Sequence, residues 1–315
     1  MKHIDSIPIF KDWRTLGFLL AIFAAGPMNA AESGITFSNP EAAVAALDTA
    51  VRTTNRAQLR AIFGPKIEEI VNPDAVQAAS EFAAFASALV ETNRLDRMSD
   101  TRRVLLLGSN YWPFPVPIVQ KDYRWFFDTA AGVDELLTRR IGRNELQTLQ
   151  VLRTGVQAQR DYASHDRDGD EVLEYAEKIV STPGAKDGLF WSPEFDGEIS
   201  PLGPLFADAA NEGYGNRKKR SNGQPKPFYG YLFKILTRQG GHAPGGKYNY
   251  VINGNMIGGF ALVAWPAEYG NSGIMTFVVN QQGRVYQKDL GPQTAKTVGA
   301  MKSYDPDKSW SVSAD

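Results

Sequence analysis

The sequence of 315 residues contains no cysteine. Disulfides, thiolate metal ligands, cysteine nucleophiles and lipid attachment through a thiol are therefore all excluded. Histidine is scarce: with His3 close to the N-terminus, only His165 and His242 remain, too few for a multi-histidine metal centre. Neither sign of charge is in excess. The 34 Lys and Arg against 35 Asp and Glu leave a net charge of −1, so no global field draws the chain to nucleic acid or to an anionic bilayer. No apolar run reaches the roughly twenty residues that a membrane-spanning helix needs. The G-x-S-x-G elbow, the P-loop, the dinucleotide fingerprint and H-E-x-x-H are missing as well.

What is present is an ordinary globular composition, 43% hydrophobic, 22% charged and 11% aromatic, in a chain long enough for two cores. Lys2, Lys11 and Arg14 precede a short apolar stretch, Leu16 to Ala25. Gly26 and Pro27 break it, and the small residues Ala30 and Ala31 follow. This pattern predicts a signal peptide over residues 1–31, removed on export, and a periplasmic mature protein. Met28 departs from the small-residue rule at the cleavage site, and a retained anchor is the alternative. Exported proteins commonly use disulfides. Without them, the fold must rest on its core or on a metal.

Hydrophobic periodicity divides the mature chain into an expected α+β domain at 36–138 and a second domain at 139–315. In the first, Asn39, Pro40 and Glu41 start a helix carried by Ala43, Val44, Leu47 and Val51. Further helices are expected over 57–63 and 74–97, and strands over 103–107, 114–119 and 123–127. Prolines 113, 115 and 117 confine the middle strand to an edge. Helices leading into a curved sheet, with Trp112 and Trp125 near its concave side, resemble the NTF2-like fold, which hosts enzymes and binding modules alike. In the second domain, Asn144 is the expected cap of a helix running to about Ser164. Residues 181–227 read as mostly irregular, and strands follow near 229–237, 248–252, 260–265, 274–279 and 284–287. Tyr231-x-Phe233, Phe260-x-Leu262-x-Ala264-x-Pro266 and Phe277-x-Val279 resemble the soluble head of type IV pilin-like proteins, in which a long helix packs on an antiparallel sheet. The chain departs from pilins in lacking a long apolar assembly helix that starts near a glutamate.

Three segments carry a longer resemblance: Trp125 to Gly132 (WFFDTAAG), Arg139 to Glu145 (RRIGRNE) and Gly258 to Pro266 (GGFALVAWP). Through them the mature chain is similar to an uncharacterised bacterial exported family, the domain of unknown function numbered twenty-nine fifty. That resemblance implies an exported protein and brings no activity with it.

The sharpest chemical signal is Asp166 to Glu177. With Asp166 at position 1 of an EF-hand-like calcium loop, Asp168 is at 3, Asp170 at 5, the Val172 carbonyl at 7, Glu174 at 9 and Glu177 at 12. This spacing brings hard oxygens around one point, as Ca²⁺ requires. Leu173 at position 8 is the expected apolar pin, and a short helix is expected from the loop through Val180. Glu171 stands where the turn favours glycine, so a left-handed non-glycine residue is expected there at a cost of about 1 kcal/mol. One imperfect loop implies weak binding, with a dissociation constant on the order of 0.1–1 mM, and a structural ion. The competing reading is a solvated acidic turn.

Arg139, Arg140, Arg143, Asn144 and Glu145 form a polar cluster between the two halves. It suits an interdomain salt-bridge network, or anion binding at a helix start. The basic run 217–220 reads as an exposed loop, or as a contact for an anionic envelope polymer. His165 and His242 read as surface residues, and tryptophans 112, 125, 191 and 265 as core. The resulting expectation is a non-catalytic binding or assembly module with a structural Ca²⁺. Its partner would be an envelope protein or polymer rather than nucleic acid, and the mature protein would have no transmembrane segment. A carboxylate-dependent hydrolase acting on an envelope polymer in the interdomain cleft is the alternative.

Overall fold

The structure is a computed structural model that describes residues 34–194, 197–211 and 227–314. The expected leader at 1–31 and the basic run 217–220 lie outside the described residues. Local capping sets the first elements. Asn39 accepts the Ala42 amide at 2.7 Å and opens α1 (Pro40–Arg52), which buries Ala43, Val44, Leu47 and Val51. Asn55 caps α2 (Arg56–Phe63) in the same way, and Gly64, left-handed at φ 72°, ends it. After the short α3 (Ile67–Ile70), Asp74 caps α4 (Ala75–Glu91).

The sequence pattern carried α4 to Arg97. Instead Thr92 turns extended and β1 (Asn93–Ser99) follows. It pairs with β2 (Arg102–Leu107) in a sheet completed by β3 (Trp112–Pro113), β4 (Ile118–Lys121) and β5 (Arg124–Phe127). The order is β1-β2-β4-β5, with β3 attached to β2. Pro115 and Pro117 have no N–H to give a ladder, so of the strand expected over 114–119 only Ile118 and Val119 are paired, in β4. Leu47, Ile62, Leu89, Leu105, Leu107, Ile118 and Phe127 form the first core, and Trp125 is buried with them beneath the Arg103 guanidinium.

Then comes α5 (Thr129–Tyr162), 34 residues long and capped by Asp128, which accepts the Ala131 amide at 3.1 Å. The helix expected to start at Asn144 begins fifteen residues earlier, and the boundary expected at 138/139 falls inside it. Two glycines let this helix approach both sheets. A Cβ on Gly132 would lie 2.7 Å from Val116 Cγ2, and one on Gly155 would lie 2.7 Å from Leu262 Cδ1.

Beyond α5, β6 (Lys178–Val180) pairs parallel with β7 (Gly188–Phe190). With α6 (Gly203–Ala209), β7 gives order to a stretch expected to be irregular. The second large sheet is antiparallel. It starts from β8 (Tyr231–Leu236). Two small pairs intervene: β9 (Arg238–Gln239) with β10 (Tyr248–Asn249), and the hairpin of β11 (Val251–Ile252) with β12 (Asn255–Met256). The sheet continues with β13 (Ala261–Pro266), β14 (Met275–Asn280) and β15 (Tyr286–Asp289). After α7 (Thr294–Ala300), β16 (Ser311–Val312) completes the order β16-β15-β14-β13-β8. Residues Ala261 to Ala264 pair with Asn280 to Phe277 on one side and with Leu236 to Phe233 on the other. The expected sheet with a covering helix is present, since α5 packs on β13 and β14. A second helix, α7, lies against β13, and Lys234 donates to the Val298 and Met301 carbonyls at its C-terminal end. The described residues thus make a mixed α/β unit with seven helices and several antiparallel sheets. None of those helices is long and apolar enough to cross a membrane.

Candidate metal site

At its C-terminal end α5 presents Gln159 and Tyr162 to the loop that follows. The fully buried Gln159 amide donates to the Ala176 carbonyl at 2.8 Å and accepts the Ala176 amide at 2.9 Å. Residues 160–175 are thereby closed into a ring. The Tyr162 hydroxyl donates to the Lys186 carbonyl at 2.7 Å, and its pKa is pushed up to about 12, first by burial and then by the charge of Glu174. Arg167 packs beside the Tyr162 and Trp191 rings and pairs with Glu198, which Lys186 also meets. These contacts fasten the loop to the body.

Within the ring, carboxylate oxygens of Asp166, Asp168 and Asp170 lie within 4.8 Å of one another, all three residues exposed. Asp166 accepts backbone N–H groups from Gly169 (2.8 Å), Glu171 (2.9 Å) and Asp168 (3.3 Å). Those donors, Gly169 and Glu171 foremost, hold its carboxyl below the usual carboxylate range. Asp170 accepts the Val172 amide at 2.8 Å and the side-chain amide of Asn255. Glu171, at position 6, has φ 68°, the left-handed conformation that the calcium frame demands of it.

The other expected ligands are arranged differently. Glu174 turns to the hairpin and accepts the Met256 amide at 3.0 Å. Its carboxyl is raised above the ordinary value, by burial first and also by Asp168, Asp170 and Glu177, against the lowering effect of that amide. Glu177 is exposed and stands outside the three-carboxylate group. Leu173 does not pin the loop, being 57% exposed. The helix expected after the loop is absent. Residues 172–176 form neither helix nor strand, the Tyr175 amide donates to the Met256 carbonyl at 2.9 Å, and β6 follows. The β-favouring Tyr175, Ile179 and Val180 find strand partners here that a helix would forgo.

A set of three exposed carboxylates is hard and anionic. Such oxygen ligands suit a hard cation and not a softer transition metal, which favours imidazole or thiolate. Sequence reasoning missed Gln159, Arg167 and Asn255. Only the Asn253-Gly254 turn that projects Asn255 gave a local signal.

The polar cluster 139–145 lies on α5 at the seam between the two cores. Arg140, only 3% exposed, donates to Asn271 Oδ1 and, at 2.8 Å, to the Ile70 carbonyl. Burial lowers its pKa, with the charge of Glu81 opposing. Asn144, fully buried, donates to the Ser272 carbonyl at 2.8 Å and accepts from Gln77 at 3.2 Å. Glu145 accepts the Ile274 and Met275 amides at 3.0 and 2.9 Å. Arg143 pairs with Glu81, while Arg139 pairs with Glu135 and covers the Trp112 ring. A depression beside this seam, lined by Asn72, Pro73, Glu268 and Ser272 among others, holds about 10 Å³, too little for a polymer chain. His165 and His242 are exposed. His165 bonds Ser164, and His242 bonds Asp305 at 3.1 Å. Trp125 and Trp191 are buried, and Trp112 and Trp265 are half-buried.

The chain belongs to the family described as "Protein of unknown function (DUF2950)", whose model matches residues 35–312. No curated protein and no solved structure matches it.

Proposed function

We propose that residues 166–177 are a weak calcium loop whose ion is structural, in an exported, periplasmic module that binds or assembles with an envelope protein or polymer and is not catalytic. The observation that carries the calcium reading is the gathering of Asp166, Asp168 and Asp170 in a ring whose position 6 adopts the left-handed turn without glycine. Three carboxylates this close repel one another, and a divalent cation offsets that repulsion. Glu177 would reach the ion only after a local change in the segment before β6. That fits the weak end of calcium affinities, and Asn255 stands close enough to take part. The first half supports an NTF2-like reading through helices that lead into an antiparallel sheet, and the second a pilin-head-like one through α5 on its sheet. Neither reading supplies a reaction. The export reading rests on the Lys2 to Ala31 pattern.

Thermal unfolding in chelator and in 1 mM Ca²⁺ tests the ion. With a dissociation constant of about 0.1 mM, calcium contributes roughly 1.4 kcal/mol, a rise of roughly 3–5 °C in Tm. Magnesium should do less, because it surrenders water reluctantly. Asp168→Asn should remove most of the rise. Equal midpoints for the native protein in both buffers would leave the loop an acidic turn and nothing more.

A further inference from the structure

The N-terminal sheet ends in an open edge. β1 pairs with β2 on one side, and among the described residues no strand pairs with its other side. All of its residues but the half-buried Leu95 are exposed. An edge of this length is a template for another strand, and proteins commonly blunt such edges with charges, proline or a bulge. β1 has no proline, its charges are of both signs, and its register shift lies beyond Arg97. Its regular run, residues 93–97, reads Asn-Arg-Leu-Asp-Arg, with opposite charges at Arg94 and Asp96 on either side of Leu95. The run pairs regularly with Leu107 to Arg103, and the register then shifts between Arg97 and Ser99. On its other side α4 ends at Glu91. The straight segment is therefore five residues long, with Leu95 at its midpoint.

We propose that β1 is a homodimerisation edge: two copies of this chain pair antiparallel through residues 93–97, with the two-fold axis at Leu95. In that register Arg94 of each copy faces Asp96 of the other, Asn93 faces Arg97, and the two Leu95 side chains meet on the axis. Residues opposite one another in an antiparallel pair share a face of the sheet. Both ion pairs therefore form on the face that Arg94 and Asp96 already share, while the leucines meet on the core-side face. Moving the axis to Arg94 or to Asp96 opposes like charges at the centre, which is unfavourable. The pattern thus selects one register as well as one partner. An isologous contact of this kind closes at two copies and leaves no edge for further growth at β1. The Arg94 guanidinium is already held, 5.2 Å from the Tyr111 ring centroid, which limits the freedom it loses on pairing. The two five-stranded sheets become one continuous sheet across the dimer.

Sedimentation equilibrium of the purified chain should show a dimer. Asp96→Arg sets Arg94 against arginine at both symmetry-related positions and should weaken association by about tenfold or more. The swap of both residues, Arg94→Asp with Asp96→Arg, keeps the complementarity and should restore it. The absence of native cysteine permits a direct check of register. Leu95→Cys places two thiols on residues whose Cα atoms lie about 4.5–5.5 Å apart across the axis, within disulfide reach, so mild oxidation should trap a covalent dimer. Ser99→Cys, beyond the register shift, should not be trapped. Circular dichroism confirms that each variant is folded. A monomeric native chain at the highest soluble concentration overturns the proposal. So does a dimer that tolerates Asp96→Arg or is not restored by the double swap. Capture of an unrelated extended peptide by β1 in place of a second copy overturns it as well.

Discussion

The acidic loop and the polar seam hold similar numbers of charged and amide side chains, and they handle them in opposite ways. At the seam, Arg140, Asn144 and Glu145 are fixed on a rigid helix, and their polar atoms meet carbonyls, amides and an asparagine from both halves of the molecule. Each polar atom named there is satisfied by a partner distant in sequence, so the cluster is spent on holding α3, α4 and the β13–β14 turn against α5. In the loop, three carboxylates of one sign converge in water, supported mainly by their own backbone. Charge that is buried and paired is structure. Charge that is exposed, converging and of one sign is left open to a cation, and the proposed site in the loop rests on this difference.

The comparison can be broken first at the seam. Arg140→Ala removes a buried guanidinium and leaves the Asn271 and Ile70 acceptors without a donor. It should cost about 3 kcal/mol in urea unfolding, while Arg143→Ala, at a pair that is one-third to two-fifths exposed, should cost less than about 1 kcal/mol. Equal costs would mean that burial does not separate the two arginines. Glu171→Gly acts in the loop and leaves every proposed ligand in place. Relief of the left-handed conformation at φ 68°, less the greater freedom of the unfolded chain, should stabilise by up to about 0.5 kcal/mol in chelator. A loss of stability there would show that the Glu171 side chain has a role of its own.

The smallest effect concerns Glu174. Its folded pKa is raised, so its contribution to stability is fully present below the unfolded value of about 4.3 and is lost as pH rises through the higher folded value. In chelator, the native protein should lose a little stability across that window. Glu174→Gln, which keeps an acceptor for the Met256 amide, should not lose it. Superimposable pH profiles for the two proteins, from about pH 4 to about pH 7, would show that the carboxyl is not under strain from its neighbours.

Features that depend on neighbours in sequence were legible in advance. The Asn39 cap with Pro40, the end of α2 at Gly64 and the left-handed turn at Glu171 all follow from spacing within a few residues. Features decided at a distance were not. β1 reads as polar and helical until its pairing with β2 is known. The start of α5 at Asp128 was hidden because Arg139, Arg140, Arg143 and Asn144 interrupt the apolar stripe. Arg140, Arg143 and Asn144 do so because their partners at Ile70, Glu81, Asn271 and Ser272 come from elsewhere in the fold. Gln159, which closes the loop, and Asn255, which reaches into it, gave no signal of the kind that a motif supplies. The helix expected after the loop is missing for the same reason, since the backbone of Tyr175 and Ala176 bonds Met256 and Gln159.

At 1.5 Å per residue, α5 is a strut about 50 Å long, and no proline interrupts it. One end lies against the first core, and the other carries the amide that clasps the acidic loop. Bending between the cores would require breaking consecutive turns of one helix, so there is no soft joint where the chain changes from one sheet to the other. A load applied at the loop is carried along the axis to the seam and is not absorbed by a linker. For a protein without a single covalent cross-link, this helix does the mechanical work of a spine, and the two sheets share whatever happens at either end of it.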